Sequence, residues 1–380
     1  MTATRTSVAE KAERMAMESA NLEDLVYKSG RPYFRDGSCP YPLPCDMAEI
    51  HRQLLRSMVL TQVFGGPFCA PYLRHSRPRR VLEVACGAAV WSSMCHDYYG
   101  PEPAITFKGL DILSQAPDLQ QAGLEWEFVQ HDLRAPRLPF PDDHFDLVFV
   151  KDTGLCHLAS TLQAESLSEY IRVLKSQGTL EIWDSDYIIR TLLPNPPPVP
   201  GLSVSHLEQA KQSATYHISP ATPFAAAQNP FLKDFNAWAS KAFEERGLTG
   251  VPCAFLGLAF STEADSFRDY GNQRIAIPFS ELKWEQHHGQ RADSARYDIE
   301  PNRVSSPRIL SPDQLALRRT TLSTMIQLID SLEPILIEAS GKTKDEWSHW
   351  WAAMITDLLQ DDGTASGECL EVGAWWGQKK

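Results

Sequence analysis

The sequence contains no C-x-x-C pair, and its eight cysteines, at positions 39, 45, 69, 86, 95, 156, 253 and 369, have no histidine neighbours at zinc-ligand spacing. No metal site is expected, and the cysteines read as reduced, structural thiols. Basic charge is also scarce. A formal net charge of -12 repels nucleic acid and anionic membranes at long range, so neither is expected as a partner and small or cationic ligands fit better.

Long apolar runs are missing as well. The most apolar stretch, 251–260, falls far short of the roughly 20 residues of a membrane span. At the N-terminus Arg5, Lys11 and Arg14 are interrupted by Glu10, Glu13 and Glu18, with no apolar segment behind them, which speaks against a secretory signal or transit peptide. A soluble, cytoplasmic protein is the expectation. The dinucleotide pattern G-x-G-x-x-G is absent: positions 85, 87 and 90 are Ala, Gly and Val, which counts against a nicotinamide enzyme.

What is present is material for a large core: 380 residues, 43% of them hydrophobic. Short apolar runs at 81–84, 105–110, 126–129, 145–150 and 179–183 have the pattern of strands covered on both faces. Helix-like segments separate several of them. The clearest is 162–175, where Leu167, Tyr170, Ile171 and Leu174 recur at helical spacing and Gly178 supplies a stop. This alternation predicts right-handed β-α-β crossovers into a doubly wound, Rossmann-like α/β sheet, mostly parallel, with ligands at the carboxyl ends of its strands.

Around that core, 47–64 reads as an amphipathic helix behind the proline-rich turn 39–44, and the first twenty residues as a further helix or a frayed end. Five prolines in 194–200 mark a boundary. Helices are predicted near 205–215 and 230–246. Two more carry start signals: Ser311-Pro312-Asp313 is an N-cap with proline at the first helical position, and Thr343 with Glu346 fits a capping box. Trp347, Trp350, Trp351, Met354 and Leu358 share a face of the second, which reads as a packing seam, or as part of a pocket mouth.

Strand candidates at 274–278 and 369–375 are expected to pair and close a seven-stranded sheet, since Leu370, Val372 and Ala374 alternate with Glu371 and Gly373. The organisation expected is an N-terminal helical lid segment (1–75), a cofactor-binding core (76–190), a helical insertion (191–270), closing strands at 271–280 and 367–378, and a substrate-side helical insertion (281–366).

The chemistry concentrates at successive strand ends. The run from Val81 to Trp91 is a buried strand carrying Glu83, then small residues that turn into a helix and let a ligand approach the backbone. Asp111 ends the second strand, where a carboxylate can accept from ribose hydroxyls, Asp132 follows the third, and Lys151-Asp152 ends the fourth. Each acid alone is equally a solvated loop residue or helix cap.

The segments VLEVACG, GLDI, QHDL, PFPDDHFDLVFVKD and YIRVLKSQGTLEIWD, over residues 79–185, resemble in order and spacing the motifs of class I S-adenosylmethionine-dependent methyltransferases. The segment running from Tyr41 to Pro71 ahead of them resembles the leading helix of fungal methyltransferases related to regulators of secondary metabolism. The resemblance implies S-adenosylmethionine as cofactor. Glu83, Ala85, Gly87, Ala88 and Ala89 would hold its methionine part, Asp111 its ribose and Asp132 its adenine amino group. Ile112 and Leu133 would sandwich the ring. Lys151 and Asp152 would line the transfer pocket, with Asp152 and His157 as candidate catalytic groups. Tyr33 or Tyr41 would close it as a lid, core packing being the alternative for either. His157 has the alternative of a partly buried ring with a backbone partner. The family usually has glycine where this chain has Ala85 and Ala89, and a methyl group there can crowd the ligand.

Three readings compete: a small-molecule methyltransferase, an enzyme of the same fold diverted to cyclisation or rearrangement with the cofactor structural or absent, and a non-catalytic regulatory protein.

Overall fold

The computed structural model describes residues 25–35, 39–135, 137–156, 165–287, 309–360 and 362–380. The chain starts with a hairpin, β1 (Leu25–Lys28) and β2 (Arg31–Phe34), turning at Ser29 and Gly30, both at positive φ. That two-residue turn is a recognised hairpin signal, so the N-terminal segment is not purely helical as expected. Helix α1 (Met47–Phe64) follows, N-capped by Asp46 and closed by Gly65 in the left-handed region.

The core alternates β3 (Arg80–Val84), α2 (Val90–Tyr99), β4 (Thr106–Asp111), β5 (Glu125–Gln130), β6 (Phe145–Lys151), α3 (Glu165–Val173) and β7 (Leu174–Ser185). These five strands are parallel, in spatial order β5-β4-β3-β6-β7. The side-chain alternation explains their burial: Val81, Leu147 and Phe149 pack into the core on one face, Leu82, Val148 and Val150 into the core on the other. The third helix is shorter at its end than the helical spacing suggests. Leu174 pairs with Phe145 and opens β7, and Gly178 lies within the strand beside a register shift, with Gln177 at positive φ.

The remainder comprises β8 (Arg190–Leu192), α4 (Val204–Ser213), β9 (Tyr216–His217), β10 (Phe224–Ala226), α5 (Pro230–Glu244), α6 (Pro252–Thr262), β11 (Phe267–Pro278), α7 (Lys283–His287), α8 (Pro312–Ser331), α9 (Glu333–Ser340), α10 (Lys344–Leu358) and β12 (Glu368–Lys379). The expected closing pair forms. β12 runs antiparallel to both β7 and β11, with Cys369 opposite Pro278 and Trp375 opposite Asn272. Trp375 and Trp376 are buried. Three strands of two or three residues, β8, β9 and β10, extend the sheet to ten strands instead of seven; runs that short carry no readable alternation.

Both predicted capping boxes or caps are made, Ser311 with Gln314 and Thr343 with Glu346. The tryptophan stripe is a seam between α10 and α5, with Trp238 and Trp350 ring centroids 4.8 Å apart and Trp350 Nε1 donating to Asp234 at 3.0 Å. All eight cysteines are free thiols. Among the described residues no helix is long and apolar enough to cross a membrane.

Candidate active site

Neighbouring strands reverse their sequence order between β3 and β6, with β4 and β5 to one side and β7 to the other. Loops leaving the carboxyl ends of strands on either side of such a point diverge and leave a crevice. Here the crevice is a cavity open to solvent. Its floor is the strand ends: Ala85 and Gly87 after β3, Asp111 to Leu113 after β4, His131 to Arg134 after β5, Lys151 and Asp152 at β6, and Ser185 to Tyr187 at β7. Its roof is α1, through Arg52, Gln53 and Arg56, and α8, through Thr324, Met325 and Leu328.

The roof is clamped by buried polar contacts. Arg31 makes two hydrogen bonds to Asp46 and another to Asp330, Ser331 Oγ donates to Glu49 at 2.8 Å, and Arg52 donates twice to Glu49. Tyr33 donates its hydroxyl to the Ser331 carbonyl at 3.1 Å. It is therefore a core residue that ties the hairpin to α8, not a lid, whereas Tyr41 does line the cavity.

The turn after β3 is tight. Ala85, Gly87 and Ala89 all have φ near 50°, a left-handed conformation that costs an alanine about 1–2 kcal/mol. Asp111 holds the turn: its carboxylate accepts from Gly87 N at 2.8 Å and from Ile112 N at 2.7 Å. Burial pushes its pKa up, and those backbone N–H groups oppose the shift.

Glu83 is elsewhere. It lies on the Val81 face of β3, beneath α2, where its carboxylate accepts from Ser92 N at 3.1 Å and Ser92 Oγ at 2.6 Å. The strand alternation places it there, because Glu83 is two residues from Val81 and one short of the strand's last residue, Val84, and so shares the Val81 face. Burial pushes Glu83 up to about 7. It is 2% exposed and does not line the cavity; Ala88 and Ala89 do not line it either.

Asp132 does line it, but shares its carboxylate with Arg134, whose Nε reaches it at 2.9 Å. Ile112 and Leu133 both line the cavity. His131, within the quoted QHDL segment yet not singled out by sequence, lines the cavity with a buried Nε2 that has no partner among the described residues. His157 lies outside the described residues.

Residues on α1 are the main component that sequence reasoning missed. Gln53 stands directly over Gly87: a Cβ added there would lie 3.3 Å from its Oε1. One turn on, Arg56 reaches the ends of β6 and β7, donating to Asp152 at 2.6 Å and to Ser185 Oγ at 2.7 Å. Lys151 Nζ donates to the same carboxylate at 2.8 Å. Although burial would raise Asp152, these two cations hold it far below the usual carboxylate range, so it is a poor proton acceptor and orients its neighbours. Asp152 adopts positive φ to face them. At the end of β7, burial and the Glu371 charge push Asp186 up to about 6, and its carboxylate accepts from Cys253 N. The cationic members were legible only as an amphipathic helix, since nothing local says which arginines face the strand ends.

Residues 81–178 match the family model of a methyltransferase domain. The demethylmenaquinone methyltransferase of Listeria monocytogenes is 35% identical over 121 residues, 30% of this chain and 47% of that protein. An uncharacterized protein of Haemophilus influenzae is 30% identical over 110 residues, 28% of this chain and 42% of that one. The chain thus spans about half the length of the curated relatives it matches. Among solved structures, YcgJ of Bacillus subtilis aligns over 87% of this chain and 99% of its own, with 16% identity and a TM-score of 0.37.

A class I methyltransferase domain takes S-adenosylmethionine, and the residues present fit it. Ala85 and Gly87 leave the backbone close to the crevice, Asp111 offers a carboxylate for a diol, and Ile112, Leu133 and His131, whose Nε2 has no partner among the described residues, line the same cavity.

Proposed function

We propose that this chain is an S-adenosylmethionine-dependent methyltransferase acting on a small molecule. The observation that carries the reading is the roofed cavity at the strand ends. It is lined both by Asp111 and the turn at Gly87, on the side of β3 and β4, and by Arg56, Ser185 and Tyr187 at the ends of β6 and β7, so groups suited to a cofactor and to an acceptor share one cavity. The methyltransferase-domain match over 81–178 supports the chemistry. When bound, the cofactor supplies an electrophilic methyl group on a sulfonium, already an activated leaving group. The chain's own task is to hold both molecules with the nucleophile about 3 Å from that carbon and to keep water out. Asp111 and the turn at Gly87 hold one molecule, Arg56 and Ser185 orient the other, and the clamp between α1 and α8 closes the roof.

A role in fungal secondary metabolism and a cytoplasmic location belong to the same reading, resting on the leading-segment resemblance and on the sequence alone. Calorimetry with S-adenosylhomocysteine tests the reading: saturable binding at micromolar to sub-millimolar ligand is expected, roughly -4 to -8 kcal/mol. No heat and no thermal shift at high ligand overturns it. The left-handed alanines at 85 and 89 favour a second reading, a cyclising enzyme with a structural cofactor. It predicts ligand binding with no methyl consumed alongside conversion of its substrate.

A further inference from the structure

We propose that Arg56 and Lys151, sharing Asp152 between them, form an anion subsite at the acceptor end of the cavity, and that the molecule methylated is an apolar small molecule bearing a carboxylate. The proposal rests on the methyltransferase reading and extends it to the substrate class.

Arg56 and Lys151 share one carboxylate, that of Asp152, and it does not use all their donors. Arg56 spends Nε and Nη2 on Asp152 and Ser185; its Nη1 has no partner among the described residues. Lys151 Nζ bonds only Asp152 among them. Both side chains are largely withdrawn from solvent, at 7% and 13% exposure, and both line the cavity. Charged donors held in place and left unsatisfied in a sheltered cavity are a ready site for an anionic oxygen. The neighbouring acids are engaged elsewhere, Asp184 by the backbone N–H groups of Gly154 and Ser185 and Asp186 by that of Cys253, so neither occupies the free donors of Arg56 and Lys151. Arg52, the other arginine of the roof, is committed to Glu49.

The position separates this subsite from the cofactor. Gln53 covers Gly87, whereas Arg56 covers the ends of β6 and β7, away from Asp111. The same cavity is also lined by apolar Leu155, Met325, Leu328 and Leu370. The overall charge of -12 does not oppose this, because it acts at long range and is screened beyond about 10 Å.

The step balances without a base. A lone pair on the acceptor carboxylate oxygen forms the new O–C bond. The carbon–sulfur bond breaks with its electron pair staying on sulfur. The carboxylate and sulfonium charges cancel into a neutral ester and a thioether, and no proton moves.

The test is calorimetry on the full chain, saturated with S-adenosylhomocysteine, titrated with straight-chain medium-length carboxylates and with their matched primary alcohols. Carboxylates are expected to bind about tenfold or more tightly than the alcohols. Arg56→Met should abolish the preference, and Arg56→Lys should keep part of it. S-adenosylhomocysteine affinity should stay within about threefold in both. Lys151→Met, which leaves the Arg56–Asp152 pair intact but neutral, should weaken the preference as well and serves if Arg56→Met does not fold. Equal binding of acid and alcohol, or no carboxylate binding, overturns the proposal. So does an Arg56→Met variant that loses S-adenosylhomocysteine and keeps the preference, because Arg56 would then serve the cofactor. Repeating the titration without S-adenosylhomocysteine reads the subsite even if the cofactor fails to bind, so the two readings fail separately.

Discussion

Asp111 performs two tasks that one substitution series can separate. Its carboxylate fixes the turn through Gly87 N and Ile112 N, at 2.8 and 2.7 Å, and it faces the cavity where a ribose diol is expected. A hydrogen bond to a charged group is worth about 1.5–3 kcal/mol net, less where water can replace the lost partner. Both N–H groups border the cavity, so Asp111→Ala should cost about 2 kcal/mol of folding stability. Losing two charge-assisted partners of the ribose should weaken S-adenosylhomocysteine by about 1–3 kcal/mol, or roughly 5- to 150-fold in Kd. Asp111→Asn keeps one acceptor for the turn and presents a donor to the other N–H, so its stability loss should be smaller while its ligand loss stays in the same range. Chemical denaturation reads the first quantity and calorimetry the second. Glu83→Gln is the control, because Glu83 faces α2 and not the cavity. A folded Asp111→Ala with unchanged Kd refutes the placement of ribose there, and an equal affinity loss in Glu83→Gln refutes the division between the two acids.

The same Glu83 gives a pH prediction. Its folded constant of about 7 lies above the unfolded value, so its stabilising effect is complete below about pH 4.3 and lost as pH rises through 7. The difference is on the order of 3 kcal/mol at pH 8. Denaturant melts of wild type and Glu83→Gln at pH 5 and pH 8 should therefore converge at the acid end and favour the variant at the alkaline end; parallel pH profiles would remove Glu83 as the cause. Truncation after Gly367 removes β12, which pairs with β7, β8 and β11, and should abolish cooperative unfolding; a truncated chain with an unchanged Tm would show that the sheet does not depend on it.

Much of this was legible because parallel strands buried on both faces leave continuous apolar runs, and because the ends of those runs are where polar groups can meet a ligand. Helix α1 was readable from its amphipathic spacing behind the proline-rich turn, whereas its Asp46 cap was not singled out. The closing pair was legible from alternation at 370–374 even though more than ninety residues separate it from β11. The failures have physical reasons. Leu174 satisfies helical spacing and strand burial equally, and only the pairing with Phe145 decides between them. Glu83 and Asp111 look alike in sequence, one acid near each strand end, yet Asp111 is the last residue of its strand whereas Glu83 is one residue short of the end of its own and is committed to the face beneath α2. The Arg56–Asp152 contact spans 96 residues, and no local pattern encodes it.

The two alanines show what the glycines of such a turn are for. Ala85 and Ala89 hold left-handed φ of 53° and 52° without glycine, so the backbone conformation alone does not require it. Their combined cost of about 2–4 kcal/mol is borne by surrounding contacts: Cys86 N donates to the Leu110 carbonyl, Ala89 N to the Cys86 carbonyl, and Gly87 N to Asp111. The two methyl groups then differ in consequence. That of Ala89 is fully buried between β3 and α2 and acts as packing. Ala85 lines the cavity with Gly87, so its methyl group is the one that would bear on a ligand. The departure from glycine at 85 therefore narrows the space available where a ligand meets the turn, while the strand-to-helix geometry that makes the site is preserved. Gly87 is the position that keeps the closest approach open, since a side chain there would meet Gln53 of the roof as well as the ligand.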